Sequence, residues 1–81
     1  MTTTGDPVFE AVRGSVLEVL PELDAGEISL DGTLTDLGAN SVDRADVVTM
    51  SMERLGVTVP VYEFQGVHDI RSLVELLRRH V

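Results

Sequence analysis

The stretch Leu34-Thr35-Asp36-Leu37-Gly38-Ala39-Asn40-Ser41-Val42-Asp43 divides two kinds of sequence within an 81-residue chain. Before its end, residues 21–40 scatter Pro21, Gly26, Gly32 and Gly38 among acids and threonines, so neither a helix nor a strand can run far. After it, Ala45, Val48, Met52 and Leu55 recur three or four apart, with Val47 and Met50 broadening the apolar stripe. Asn40 and Ser41 both belong to the residue types that open helices, and the spacing predicts a helix over 41–55. Gly38-Ala39 reads as a flexible approach that presents the Ser41 hydroxyl at the helix opening. Free backbone amides there favour an attached or bound phosphate. Taken alone, Ser41 is explained more simply as a helix cap.

Toward the amino terminus, Asp6 suits a cap and Pro7 the first helical position, where its missing N–H costs nothing. Val8, Ala11, Val12, Val16, Val19 and Leu20 follow at helical spacing, widened by Phe9 and Leu17, until Pro21 stops the pattern. Gly14 weakens this helix slightly, and Glu10, Arg13 and Glu18 fall mainly on its other face. The long connection that follows has to be pinned, and Ile28, Leu30, Leu34 and Leu37 are the expected pins. Each contributes roughly 1.5–3 kcal/mol where fully buried, before the entropy of ordering the loop is subtracted.

Toward the carboxyl terminus, Gly56 is placed as a left-handed terminator and Val57-Thr58-Val59-Pro60 as an extended connector. Tyr62 to Gln65 is expected to form one short helical turn. Asp69 caps a last helix whose Ile70, Leu73, Val74 and Leu77 face inward, with Arg78, Arg79 and His80 where positive charge suits the macrodipole. The sum is an all-α fold, a small four-helix bundle of three main helices and one short one, with a long first loop. Residues 1–5 are expected to be a flexible tail and residues 6–81 one domain.

Composition narrows the function classes. The chain is 43% apolar and 25% charged, which a folded domain can accommodate, and without cysteine the aliphatic core must supply its stability. Six arginines against fourteen carboxylates leave a net charge of −8, which repels nucleic-acid phosphates and anionic lipid. Residues 1–40 hold eight of those acids and only Arg13, so the acidity is concentrated before Ser41. With no apolar run of about 18 residues and no basic start leading into an apolar stretch, a cytoplasmic location is expected, with no membrane or nucleic-acid partner.

Catalytic constellations are thin. His80 is the penultimate residue and His68 directly precedes a cap, so both read as solvated surface, not as members of a serine triad. Asp24, Glu27, Asp31 and Asp36 lack the alternating spacing that closes oxygens around calcium, and no metal is expected. Asp43 and Asp46 suit the first turns of a helix through its dipole, and Met50 and Met52 suit a core.

Together with Val59-Pro60, eighteen and nineteen residues past Ser41, the opening string closely resembles the acyl carrier protein family, over nearly the whole chain. The family pattern is Leu-Gly-x-Asp-Ser-Leu, its serine receives a 4′-phosphopantetheine arm from coenzyme A, and its fold is a four-helix bundle with the layout deduced above. The resemblance implies that Ser41 is the modified residue, flanked by Asp36, Leu37, Gly38, Asn40 and Val42. Asn40 stands where the family usually has Asp, which keeps the capping ability but removes a charge beside the phosphate. Val42 replaces Leu and trims the knob that partners meet. The string Gly38 to Arg44 looks most like free-standing carriers of polyketide assembly lines, particularly those serving β-branching cassettes.

The resemblance further implies a carrier and not a catalyst. A phosphopantetheinyl transferase modifies it, and acyltransferase, ketosynthase or other acyl-processing enzymes in polyketide or fatty acid biosynthesis exchange acyl groups with it as thioesters. A monomer is expected. Because activation is external, Ser41 needs no neighbouring base. The loop acids Asp24, Glu27 and Asp31 are expected to steer partners, while Val42, Asp46, Thr49 and Glu53 set the local fit. A peptidyl carrier shares this chemistry, and a non-covalent acidic helical module that uses Ser41 only as a cap shares the composition.

Overall fold

A computed structural model describes residues 6–81, and the tail expected at 1–5 lies outside the described residues. Among the described residues there are three α-helices, α1 (Pro7–Val19), α2 (Ser41–Leu55) and α3 (Ile70–Arg78), two short 3-10 helices, Ala25–Glu27 and Val61–Gly66, and no strand. This is the all-α bundle expected, with the short turn at Tyr62–Gln65 extended by one residue at each end.

Helix α1 starts where its cap and proline place it: the Val8 amide donates to Asp6 Oδ1 at 2.9 Å. Val8, Val12, Val16 and Leu20 are buried, and α1 packs mainly on α2. Ser15 is also fully buried, which the apolar pattern did not reveal, and its hydroxyl returns to the Ala11 carbonyl at 2.9 Å, so no polar group is stranded. Ser51 on α2 does the same toward the Val47 carbonyl at 2.7 Å. Gly14 lies under the guanidinium of Arg54, which crosses α1 to pair with Glu18 and could move aside for a Cβ there.

Helix α2 corrects the sequence reading in one respect. Its buried line is Val47 and Ser51, with Val48, Met50, Met52 and Leu55 half-buried, whereas Ala45 is exposed. The cost is small, because a methyl group brings little burial free energy to either orientation. The helix ends as expected at Gly56, whose φ of +70° allows the amides of Gly56 and Val57 to reach the Glu53 and Met52 carbonyls. Val59 then returns to the core.

Helix α3 contributes Ile70, Leu73, Val74, Leu76 and Leu77, all buried, and packs on α1 and on the 3-10 helix Val61–Gly66. Its last turn is tied back: Arg78 pairs with Asp6 at the head of α1, and His80 Nε2 lies 3.0 Å from Glu63 Oε1.

The long connection is pinned in two ways, of which the sequence showed one. Ile28 is buried, but Leu30, Leu34 and Leu37 are only half-buried against the core, so the full burial contribution applies to Ile28 alone. The second pin is backbone: the Ile70 and Arg71 amides donate to the Gly32 and Leu30 carbonyls, each at 2.9 Å. Asp31 and Arg71 reinforce it with an ion pair at 2.7 Å.

Candidate functional site

The approach to Ser41 is locked, which overturns its reading as flexible. Gly38 adopts φ +100°, a left-handed backbone that only glycine takes at little cost. That turn lets the Gly38 amide reach the Thr35 carbonyl and the Ala39 amide reach Leu34, both at 3.0 Å, closing a Schellman-type stop on residues 34–39. Ala39 is buried as a result. The chain then reverses directly into α2.

Asn40, not Ser41, is the cap. The Asp43 amide donates to Asn40 Oδ1 at 2.8 Å, and the Asn40 amide donates to Asp43 Oδ2 at 3.1 Å, a reciprocal capping box. Ser41 is therefore the first residue inside the helix, with an exposed side chain. Its hydroxyl serves no cap, which removes the simplest structural explanation for a serine there. The Ser41 and Val42 amides have no acceptor among the described residues, so the positive end of the helix dipole faces solvent beside this hydroxyl. The Asn40 cap adds no negative charge at that end, as a carboxylate would.

Sequence reasoning missed Arg44. It lies one turn on from Ser41, and its guanidinium donates to Ser41 Oγ at 3.4 Å, Thr35 Oγ1 at 3.3 Å and the Ala39 carbonyl at 3.4 Å. The signal was available in the i, i+3 spacing, which sets two side chains on one face of a helix. Arg44 also walls an open cleft of about 360 Å³ between α2, the 3-10 helix Val61–Gly66 and the start of α3. Leu34, Val48, Phe64, Val67 and Leu73 supply its apolar lining, and Thr35, His68 and Asp69 its polar side. This cleft joins residues far apart in sequence, and no local pattern marks it.

The other expected residues divide by burial. Val42 is 68% exposed, and Asp46, Thr49 and Glu53 are exposed as well, spaced four, three and four apart along the solvent side of α2. Asp36 is exposed, its amide bonded to Thr33 Oγ1 at 3.0 Å, while Leu37 packs half-buried under the turn. The loop acids Asp24, Glu27 and Asp31 are all exposed, and Asp31 also pairs with Arg71. Val61 and Tyr62 are 85% and 70% exposed, an apolar pair that the sequence reading left aside.

Among the described residues, nothing beside Ser41 resembles a catalytic triad. His68 turns its Nδ1 to the Gly66 carbonyl at 3.1 Å, and His80 faces Glu63. Among the described residues no three His, Asp or Glu side chains gather to hold a metal ion. The shifted carboxylate, Asp69, caps α3: hydrogen bonds from the Ser72 hydroxyl and amide hold its pKa below the usual carboxylate value. No helix among the described residues is long and apolar enough to cross a membrane.

An exposed serine hydroxyl, released from capping and set against open helix amides, accommodates a covalently attached phosphate ester, as a phosphopantetheine arm requires. Comparison with known proteins agrees. The phosphopantetheine attachment site family matches residues 10–77. The chain is 43% identical to the polyketide biosynthesis acyl-carrier-protein AcpK of Bacillus subtilis, over 86% of this chain and 85% of that protein. It is 31% identical to the acyl carrier protein of Petrotoga mobilis, covering 91% of this chain and 87% of that one. Among solved structures, it superimposes with a TM-score of 0.78 and 31% identity on a chain of the curacin biosynthetic pathway HMG synthase in complex with acetyl donor-ACP. That match covers 86% of this chain and 90% of the other. With its fold, its helix opening and its relatives in agreement, the chain belongs to the phosphopantetheine attachment-site family and is an acyl carrier protein.

Proposed function

We propose that Ser41 receives the 4′-phosphopantetheine arm from coenzyme A through a phosphopantetheinyl transferase, and that residues 6–81 act as a single, monomeric carrier domain in the cytoplasm. The observation that carries this is the division of labour at the helix opening: Asn40 caps, and Ser41 stands exposed beside it. The chain supplies position, not chemistry. Its turn at Gly38 aims the hydroxyl outward, the α2 dipole favours the phosphate charge, and among the described residues no base contacts Ser41, as suits a hydroxyl activated by another enzyme. The arm's terminal thiol holds acyl groups as thioesters.

The pathway reading is polyketide biosynthesis, with delivery of a short acyl group to an HMG synthase-type enzyme in a β-branching cassette. It is supported by the likeness to AcpK and to the acetyl donor-ACP complex. Val42, Asp46, Thr49 and Glu53 form the stripe on α2 that sets the local fit with such enzymes, and the exposed Asp24, Glu27 and Asp31 steer them.

Incubation with coenzyme A and a broad-specificity transferase, followed by intact-mass measurement, tests the attachment. The native chain gains one phosphopantetheine and Ser41→Ala gains none. A native chain that stays unmodified, with a dedicated transferase tried as well, leaves the non-covalent interaction module as the better account.

A further inference from the structure

Four of the six arginines face a carboxylate: Arg13 pairs with Glu10, Arg54 with Glu18, Arg71 with Asp31 and Arg78 with Asp6. Arg44 does not. It is half-buried, its guanidinium bonds only to the neutral oxygens of Thr35, Ala39 and Ser41, and no carboxylate among the described residues pairs with it. A guanidinium in that state has given up part of its hydration without gaining a counter-charge. The neutral Asn40 at the cap leaves that want unmet, since Asp43 is occupied in the capping box. The structure thus holds a cation with unmatched charge one helical turn from the hydroxyl that is to be esterified.

We infer that Arg44 is a positioning residue that grips the phosphodiester linking the arm to Ser41, and so sets the direction in which the arm leaves α2. This deepens the attachment reading and rests on it. Esterification replaces a neutral hydroxyl by a phosphodiester whose two non-bridging oxygens, sharing one negative charge, lie two bonds beyond Oγ, inside the reach of a guanidinium already 3.4 Å away. The planar fork of an arginine suits two such oxygens at once, which a lysine ammonium does not reproduce. The tethers to Thr35 and Ala39 hold the fork in place before the phosphate arrives. Because Arg44 also walls the cleft, the arm it grips begins its path across the cleft mouth.

Apo and loaded forms of the native chain, Arg44→Lys and Arg44→Gln test this, with loading verified by mass. At low salt, loading raises the Tm of the native chain by about 2–4 °C more than that of Arg44→Gln, with Arg44→Lys between them, and about 1 M salt removes most of the difference. Comparing loaded with apo protein within each variant cancels the loss of the Thr35 and Ala39 bonds. Equal increments in the native chain and Arg44→Gln overturn the proposal. Should Arg44→Gln not fold, the Nε–H resonance of Arg44 in the native chain decides: a shift on loading supports the grip, and an unmoved resonance overturns it. Failure of the native chain to load is visible in its mass beforehand and brings down the attachment reading itself.

Discussion

Helices α2 and α3 begin with the same device and put it to opposite uses. Each has an Asn or Asp cap whose side chain accepts the amide three residues on, Asp43 to Asn40 and Ser72 to Asp69, both at 2.8 Å. At α3 the two remaining amides are taken by the long loop, Ile70 by Gly32 and Arg71 by Leu30. At α2 the corresponding amides, on Ser41 and Val42, stay open beside an exposed hydroxyl. One helix opening is a structural joint and the other is a candidate site. The difference lies in what packs over the opening, since the capping chemistry is shared.

The largest test breaks the joint. Ile28 is the buried anchor of the loop that brings its carbonyls to α3, so Ile28→Ala is expected to cost about 2–4 kcal/mol in urea unfolding. Leu37, half-buried under the turn before Ser41, is expected to cost less on the same change, about 1–2 kcal/mol. A loss at Leu37 equal to that at Ile28 would show the two parts of the loop to be anchored equally.

Removing each cap sharpens the contrast. Asp69→Ala and Asn40→Ala are each expected to lower stability by about 1 kcal/mol, a fall in Tm of roughly 4–8 °C. Only Asn40→Ala should also slow transfer of phosphopantetheine, because the attachment proposed at Ser41 places the transferase at the α2 opening. An equal slowing by Asp69→Ala, measured below both melting temperatures, would mean that the joint and the site are not separate.

The smallest effect is in acid. The Asp69 carboxyl is held below its ordinary value by the Ser72 hydrogen bonds, so folding favours its charged form. Its contribution is therefore complete above the unfolded value, near 3.9, and is lost as pH falls through the lower folded value. Asp69→Asn should flatten the acid limb of a Tm-against-pH curve below about pH 4, while the neutral Asn40 adds no such slope at α2.

Helix positions were legible because their signals are local. Asp6-Pro7, Gly56 and Asp69 mark ends by backbone chemistry that neighbours cannot easily override, and α3 carries five buried residues in nine, four of them expected. The buried Ser15 and Ser51 were not legible, because a hydroxyl that returns to its own helix looks polar in sequence and behaves as a small core residue. Gly38-Ala39 misled for a related reason. Small residues signal freedom when read alone, but a left-handed glycine between two closed hydrogen bonds makes one rigid turn.

The string around Ser41 by itself determined that a serine hydroxyl sits at a helix opening, since turn, cap and helix propensities act over a few residues. Only the tertiary structure decided that the loop closes α3 and leaves α2 open, and that Arg44 stands in the wall of a cleft lined by residues far apart in the chain. Those depend on which carbonyls and side chains the packed core brings within hydrogen-bond reach, across separations such as the 40 residues between Asp31 and Arg71. No short-range pattern encodes contacts of that kind.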